Sequence, residues 1–148
     1  MITVMNHVSF TVADLKKEVE FYQDVLGLEC ISFASRDQAF SAAVTGIPGV
    51  EMNIAYMKAP NCSLELIQYT AGEGEKLVTA TNQPGCTHLC FSVSDYDNWI
   101  SRMEQNNVRM SGKLCIVPAG PNKGRKVCYL LDPEGNHLEF IEDNNKNV

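Results

Sequence analysis

The chain has little that would tie it to a membrane, to nucleic acid or to a disulfide scaffold. No apolar run approaches the roughly 18 residues of a membrane span, and no charged-then-apolar leader opens it. Acidic residues outnumber basic ones 18 to 12, and no basic stripe overrides the net charge of −6. That argues against nucleic acid as the main partner, and against a membrane surface. Histidine is scarce, with three in 148 residues. No Cys-x-x-Cys pair occurs among the six cysteines (Cys30, Cys62, Cys86, Cys90, Cys115, Cys128), several of which fall inside apolar strand-like runs. This pattern predicts reduced, mostly buried thiols in a cytoplasmic protein rather than a disulfide framework. With 45% hydrophobic and 20% charged residues, what is left is a soluble globular chain. Its length suits one ordinary domain or two half-domains sharing a core.

Two of the three histidines stand in near-copies of one stretch, NHVSFTVAD and THLCFSVSD. In register, His7 lies over His88 at an offset of 81, with Phe10, Val12 and Asp14 over Phe91, Val93 and Asp95. Behind them Leu15, Val19, Tyr22 and Tyr96, Ile100, Met103 each form an i, i+4, i+7 stripe. Asp14 and Asp95 stand where a side-chain oxygen can cap the first helical turn. Each copy therefore opens as a strand followed by a capped amphipathic helix. The copies also close alike. SLELIQ (63–68) lies over HLEFIE (137–142) at an offset of 74, with MNIAYMKAPNC over KVCYLLDPEGN upstream as strand, turn, strand. The shorter offset assigns seven extra residues to the first copy, placed in RDQAFSAAVTGIPG (36–49) as a short helix and loop. The predicted class is α+β. A β-α-β-β-β module over 1–71 is followed by a linker over 72–84 and a second module over 85–148. A half of about 70 residues does not easily cover both faces of its own sheet. The two modules, related by internal pseudo-two-fold symmetry, are therefore expected to act as one functional domain.

Strand side chains alternate between faces. Val8, Phe10 and Val12 oppose His7, Ser9 and Thr11; Leu89, Phe91 and Val93 oppose His88, Cys90 and Ser92. In the closing strands Leu64 and Leu66 oppose Glu65 and Ile67, and Leu138 and Phe140 oppose Glu139 and Ile141. Each half thus carries one histidine and one glutamate on its helix-free face, at repeat-equivalent positions. Two imidazoles and two carboxylates suit a divalent transition metal with positions left for water or substrate. An isolated strand histidine would instead be an ordinary core or surface residue. His137 shares the face of Glu139, about 7 Å along the strand, at an exposed rim or as a proton shuttle at the mouth. Cys86 and Cys90 share the face of His88, as filler or as softer ligands.

The stretches NHVSFTVADLKKEVEFYQDVLGLE, LELIQY, THLCFSVSD and YLLDPEGNHLEFIE resemble the vicinal oxygen chelate superfamily over nearly the whole chain. That superfamily includes glyoxalases, methylmalonyl-CoA epimerases, extradiol dioxygenases, and fosfomycin- and bleomycin-resistance proteins. The resemblance implies paired βαβββ modules forming a partly open barrel around one divalent metal ion, whether Zn, Ni, Co, Mn or Fe. It puts the metal ligands on His7, Glu65, His88 and Glu139, and implies a small-molecule substrate and a homodimer. The complete four-position set is closest to the glyoxalase and methylmalonyl-CoA epimerase branch. A lyase or isomerase acting by proton transfer next to a metal-chelated carbonyl is therefore expected. The alternatives are a non-haem iron extradiol-type dioxygenase and a bleomycin-resistance-like protein that only binds its ligand.

Proton transfer needs a base, and a weakly held carboxylate ligand can serve, so Glu139 and Glu65 are candidates for both roles. Glu51, in IPGVEMNIAYM, matches the place from which epimerases take a second catalytic glutamate. It reads first as an exposed residue at a strand entrance, with the catalytic role as the alternative. At the offset of 74 its mate is Arg125, in PAGPNKGRKV. That Gly- and Pro-rich loop, with Lys123 and Arg125, is either a lid that holds a substrate carboxylate or a plain hairpin connection.

Overall fold

A computed structural model describes residues 1–77 and 80–144. Val78 and Thr79 of the expected linker, and 145–148 of the expected second module, lie outside the described residues. The chain divides into two compact units, one over Met1–Leu77 and one over the described residues that follow.

The first unit runs β1 (His7–Thr11), α1 (Leu15–Glu20), β2 (Glu29–Arg36), α2 (Gln38–Thr45), β3 (Glu51–Lys58) and β4 (Ser63–Ala71). Its four-stranded open sheet has the order β1-β4-β3-β2, with β1 and β4 parallel and the other pairs antiparallel. Asp14 caps α1 by accepting from the Lys17 amide at 3.1 Å. The helix continues into a wide π turn over Phe21–Val25. Its buried line is Leu15, Glu18 and Tyr22, so Val19 is only half-buried. Residues at i+3 and i+4 flank the same line, and here the i+3 residue faces the sheet. The extra residues of the first copy form α2. Asp37 opens that helix by accepting from the Phe40 amide, and Gly46 ends it in left-handed backbone (φ +73°), its N–H bonded to Ala42 O. Under α1 the sheet presents Phe10, Ala55, Met57, Leu64 and Leu66, all buried.

The second unit runs β5 (His88–Val93), α3 (Tyr96–Gln105), β6 (Arg109–Met110), β7 (Cys115–Ile116), β8 (Lys126–Leu131) and β9 (His137–Glu142). Again the first and last strands are parallel, and β8 runs antiparallel to β9. Where one strand follows the helix in the first unit, two short pieces, β6 and β7, pair with β8. The break falls at Ser111-Gly112, a turn-prone dipeptide. Asp95 does not cap α3 as expected. Its own backbone is left-handed (φ +50°), and its carboxylate accepts from Asn98 Nδ2 at 2.6 Å instead of from a first-turn amide. Tyr96 and Met103 are buried as the stripe predicts, Ile100 half so, and Trp99 adds a ring over Phe140 with centroids 4.1 Å apart.

The two closing hairpins differ in length by one residue. Lys58 pairs with Ser63 across 59–62, whereas Leu131 pairs with His137 across 132–136. The offset of 74 therefore holds for β4 and β9 but becomes 73 for β3 and β8. Arg125 is not the mate of Glu51, and Tyr56 matches Tyr129.

Among the described residues no cysteine forms a disulfide, but only Cys128 is buried; Cys30, Cys62 and Cys86 are half-buried, and Cys90 and Cys115 are exposed. The expectation of mostly buried thiols fails because strand alternation turns Cys90 to the helix-free face, and Cys115 sits in a two-residue strand. Among the described residues no helix is long and apolar enough to cross a membrane.

Tyr96 ties α3 to its sheet. It is 2% exposed, and its hydroxyl can donate to Phe140 O at 3.1 Å or to Cys128 Sγ at 3.2 Å. Burial first, then the Cys128 contact, pushes the phenol far above its ordinary value. We expect Tyr96→Phe to cost roughly 1–2 kcal/mol in urea unfolding, for the lost bond and the stranded carbonyl. A folded-state value raised above the unfolded one gives stability that is complete below pH 10.0 and is lost as pH rises beyond it. The alkaline decline in unfolding free energy should therefore be shallower in the variant.

Candidate functional site

Parallel pairing of the outer strands builds the same corner twice. In the first unit His7 stands opposite Ser63, and Glu65 lies one pleat further on the same face. In the second, His88 stands opposite His137 and Glu139 lies one pleat further. His7 Nε2 is 3.4 Å from Glu65 Oε2, and His88 Nε2 is 3.0 Å from Glu139 Oε2. The imidazoles are 37% and 40% exposed and open to a ligand, while the carboxylates sit deeper, Glu65 at 9% and Glu139 at 21%.

The cross-strand partner of each glutamate is a tyrosine: Tyr56 opposite Glu65, and Tyr129 opposite Glu139. Tyr56 donates its O–H to Glu65 Oε1 at 2.5 Å and meets the His7 ring edge-on at 5.8 Å. Tyr129 donates to Glu139 Oε2 at 2.9 Å and lies 3.2 Å from His88 Nε2. The bond to Glu65 first, then burial, raises Tyr56 above its ordinary value. Burial first, then the bond to Glu139, pushes Tyr129 up to about 12. Both phenols are thus held as neutral donors. In the sequence their equivalence is hidden, because the offset of 74 sets Tyr56 over Leu130. Sliding β3 and β8 by one residue superposes the tyrosines, and the longer Asp132–Asn136 turn was the available signal.

Asn6 backs the first histidine, with Oδ1 at 2.8 Å from His7 Nδ1. An N–H donated there leaves the Nε2 lone pair toward Glu65 and toward any ion. Each histidine–glutamate pair, taken by itself, has a spacing that two ligands of one divalent ion could have. Two donors each about 2.1 Å from a common ion stand about 3.0 Å apart at a right angle and about 3.4 Å apart at a tetrahedral one. The two N···O separations match those values. Among the described residues no three His, Cys, Asp or Glu side chains form a metal-holding group, so the structure brings the predicted ligands together as two pairs.

The remaining candidates lie elsewhere. Glu51 is the exposed first residue of β3, five residues from Tyr56 and so about 17 Å along the strand. Lys123 is exposed and Arg125 half-buried in a hairpin that its own backbone closes, through Val117 N to Arg125 O at 3.0 Å and Gly124 N to Val117 O at 2.9 Å. His137 is half-buried rather than at an exposed rim, because it pairs with His88 across β5. Cys86 is half-buried, with Sγ 3.7 Å from Thr87 O, and Cys90 stands directly opposite Glu139.

Two βαβββ modules, each with a His–Glu pair on the sheet face away from its helix, define a class of paired-module α+β proteins. Residues 6–129 match the family model described as the glyoxalase/bleomycin resistance protein/dioxygenase superfamily, and the chain belongs to that superfamily, the vicinal oxygen chelate proteins. It is 29% identical over 142 residues to a 2-epi-5-epi-valiolone epimerase from an Actinomyces species, covering 93% of this chain and 78% of the relative. A lactoylglutathione lyase from Schizosaccharomyces pombe is 24% identical over 93% of this chain, which spans only 46% of that protein. A metallothiol transferase, FosB, from Staphylococcus epidermidis is 27% identical over 94% of this chain and 81% of its own length. Among solved structures, a glyoxalase family protein from Bacillus cereus superposes with a TM-score of 0.81 at 23% identity, covering 96% of this chain and 95% of that one. A mutant of the fosfomycin resistance protein FosX from Listeria monocytogenes, complexed with Mn(II) and 1S,2S-dihydroxypropylphosphonic acid, gives 0.66 at 18% identity, covering 99% and 97%. These structural likenesses bear on the fold.

Desolvation first, then the charge of Glu139, pushes the Cys90 thiol up to about 11. Although the residue is exposed, little of it is thiolate at neutral pH. Its iodoacetamide alkylation at pH 8, followed by peptide mass spectrometry, should run roughly tenfold or more slower than free cysteine. The deficit should close as pH rises toward 11.

Proposed function

We propose that the chain is a divalent-metal-dependent enzyme that moves a proton on the carbon next to a carbonyl, a lyase or isomerase of the glyoxalase–epimerase type. The observation that carries this is the duplicated His–Glu pair, with ligand-like N···O separations and a tyrosine behind each carboxylate. Family membership and an epimerase and a lyase among the relatives support it.

His7, Glu65, His88 and Glu139 are assigned as the ligands of one ion. The set is completed by pairing of the two modules, within one chain or exchanged between the copies of a homodimer. A bound ion supplies Lewis acidity toward the substrate's oxygens. Asn6 sets the tautomer of His7 that leaves Nε2 free to ligate. Glu65, the deeper carboxylate, keeps a fixed ligand position under Tyr56. Glu139, the more exposed one, takes the proton from carbon and returns it. Lys123 and Arg125 are assigned to the outer, anionic part of a substrate. Glu51, about 17 Å along β3 from Tyr56, is given no part in holding the ion, and Glu51→Gln should leave ion binding intact.

The test is elemental analysis of protein purified without an affinity tag, beside the His7→Ala/His88→Ala double variant. We expect about one equivalent of zinc, nickel, cobalt or manganese in the wild type and none in the variant. Glu139→Gln should lose at least about a hundredfold in proton exchange on hemithioacetal or acyl-CoA epimer substrates. Iron with dioxygen uptake on a catechol would put the dioxygenase reading first. An absence of bound ion even after reconstitution would overturn the mechanism and leave ligand binding alone.

A further inference from the structure

Strand β2 ends the first sheet with side chains unlike those of a protected edge. It runs for eight residues, Glu29–Arg36, and among the described residues no strand lies beyond it. Every second N–H and C=O along it therefore points away from β3. Exposed edges are ordinarily kept short or carry charge along their length. The second unit follows that rule, since the strand after its helix is cut into β6 and β7, of two residues each. β2 does not. Its middle is Ile31-Ser32-Phe33-Ala34, with Ile31 50% and Phe33 60% exposed, and its two charges stand at its ends. The apolar surface continues past Arg36, whose guanidinium lies 5.9 Å from the centre of the Phe40 ring. Phe40 and Val44 of α2, and Ile47 just beyond it, are exposed as well. A run of exposed apolar side chains marks a contact surface.

The two charged ends select the partner. Directly opposed residues of neighbouring strands share a face, so the pairing with β3 sorts the side chains of β2. Glu29, Ser32, Ala34 and Arg36 lie on the helix-free face, opposite Lys58, Tyr56, Ile54 and Met52. Phe33 and Ser35 lie on the helix side, opposite Ala55 and Asn53. Ile31 is the extra residue of a bulge between Cys30 and Ser32. A second β2, antiparallel to the first about a two-fold axis at Phe33, sets Phe33 against Phe33 and Ser32 against Ala34, each with matching faces. The bulge then absorbs one residue, so Arg36 falls opposite Glu29 of the second copy on the helix-free face, at both ends. Unbulged strands would have put it opposite Cys30, which faces the other way. A parallel partner would instead stack Glu29 on Glu29 and Arg36 on Arg36. Glu29 is 70% exposed, with Lys58 Nζ 3.8 Å from its carboxylate, and has room for a second cation.

We infer that β2 is a self-pairing edge. Two copies of this chain join their first sheets through antiparallel β2 strands, with Phe33 on the two-fold axis and a Glu29–Arg36 ion pair at each end. Small side chains at Ser32 and Ala34 let the two backbones approach beside the axis. The pairing goes beyond the proposed function and does not rest on it, since none of the four assigned ligands lies on β2.

The test is sedimentation equilibrium of the full chain across a concentration series, with thermal melting of each variant as the check on folding. The wild type should show a monomer–dimer equilibrium. Phe33→Lys sets two cations on the axis and should weaken association roughly thirtyfold or more, as loss of a central aromatic anchor does. Glu29→Arg and Arg36→Glu, each alone, place like charges at both ends and should weaken it roughly tenfold. Combined, the two reversals restore unlike pairs, and association should return to the wild-type level. That rescue keeps the inference testable should Phe33→Lys fail to fold. In hydrogen exchange, the amides of 32–34 should gain protection with concentration in the wild type and not in Phe33→Lys. A wild type that stays monomeric, or single reversals that the double variant does not rescue, would overturn the inference. So would a dimer that survives Phe33→Lys, which must be held elsewhere, as by exchanged modules.

Discussion

The parallel register of the outer strands in each unit is the constraint on which the site depends. Side chains alternate with a period of two, so a slip of one residue would exchange the two faces of a strand completely. What forbids the slip is burial on the helix side. Leu64 and Leu66 are 1% and 0% exposed, Leu138 and Phe140 are 0% and 3%. Turning any one of these to water would cost roughly 1.5–3 kcal/mol. The histidine and the glutamate contribute little to that preference and are carried by it. Their separations of 3.4 and 3.0 Å are a by-product of core packing on the opposite face.

The hairpins show the same rule from another side. The first turn spans 59–62 and is closed by the Ala59 amide on Cys62 O at 3.0 Å. The second spans 132–136 and is organised by Asp132, whose carboxylate accepts from both the backbone and the side chain of Asn136 at 2.7 Å. Length and chemistry differ, yet each turn delivers a tyrosine directly opposite a glutamate. A carboxylate drawn out of water needs donors. A cross-strand phenol supplies one without adding charge, and at the first corner it leaves the histidine side of the carboxylate open.

Much of this was legible in the sequence, because it follows from patterns of period two and period 3.6. The repeat, the two faces, the capped first helix and the inserted helix α2 were all readable from apolar spacing and from Asp and Gly at helix ends. What escaped was whatever depends on a single residue of register. A uniform offset hid the equivalence of Tyr56 and Tyr129 and gave Glu51 a false mate in Arg125. The left-handed backbone at Asp95 is equally silent in the sequence, since aspartate is a good cap and also tolerates positive φ. The thiols were misjudged for a related reason. An apolar-looking run such as THLCFSVSD has two faces, and Cys90 lies on the one without a helix.

A repeat makes its two halves alike, whereas moving one proton requires that they differ. On the function proposed here, one carboxylate must stay and the other must take and return a proton. The differences are confined to side chains around an unchanged backbone. Glu65 is less exposed than Glu139, its spare oxygen is held by Tyr56, and its strand neighbour is Ser9. Glu139 is held by the oxygen that faces its histidine, and the residue at the equivalent neighbouring position is Cys90. The deeper carboxylate keeps its place, and the one nearer the surface, which a substrate can reach, is the one to which the proton transfer is assigned.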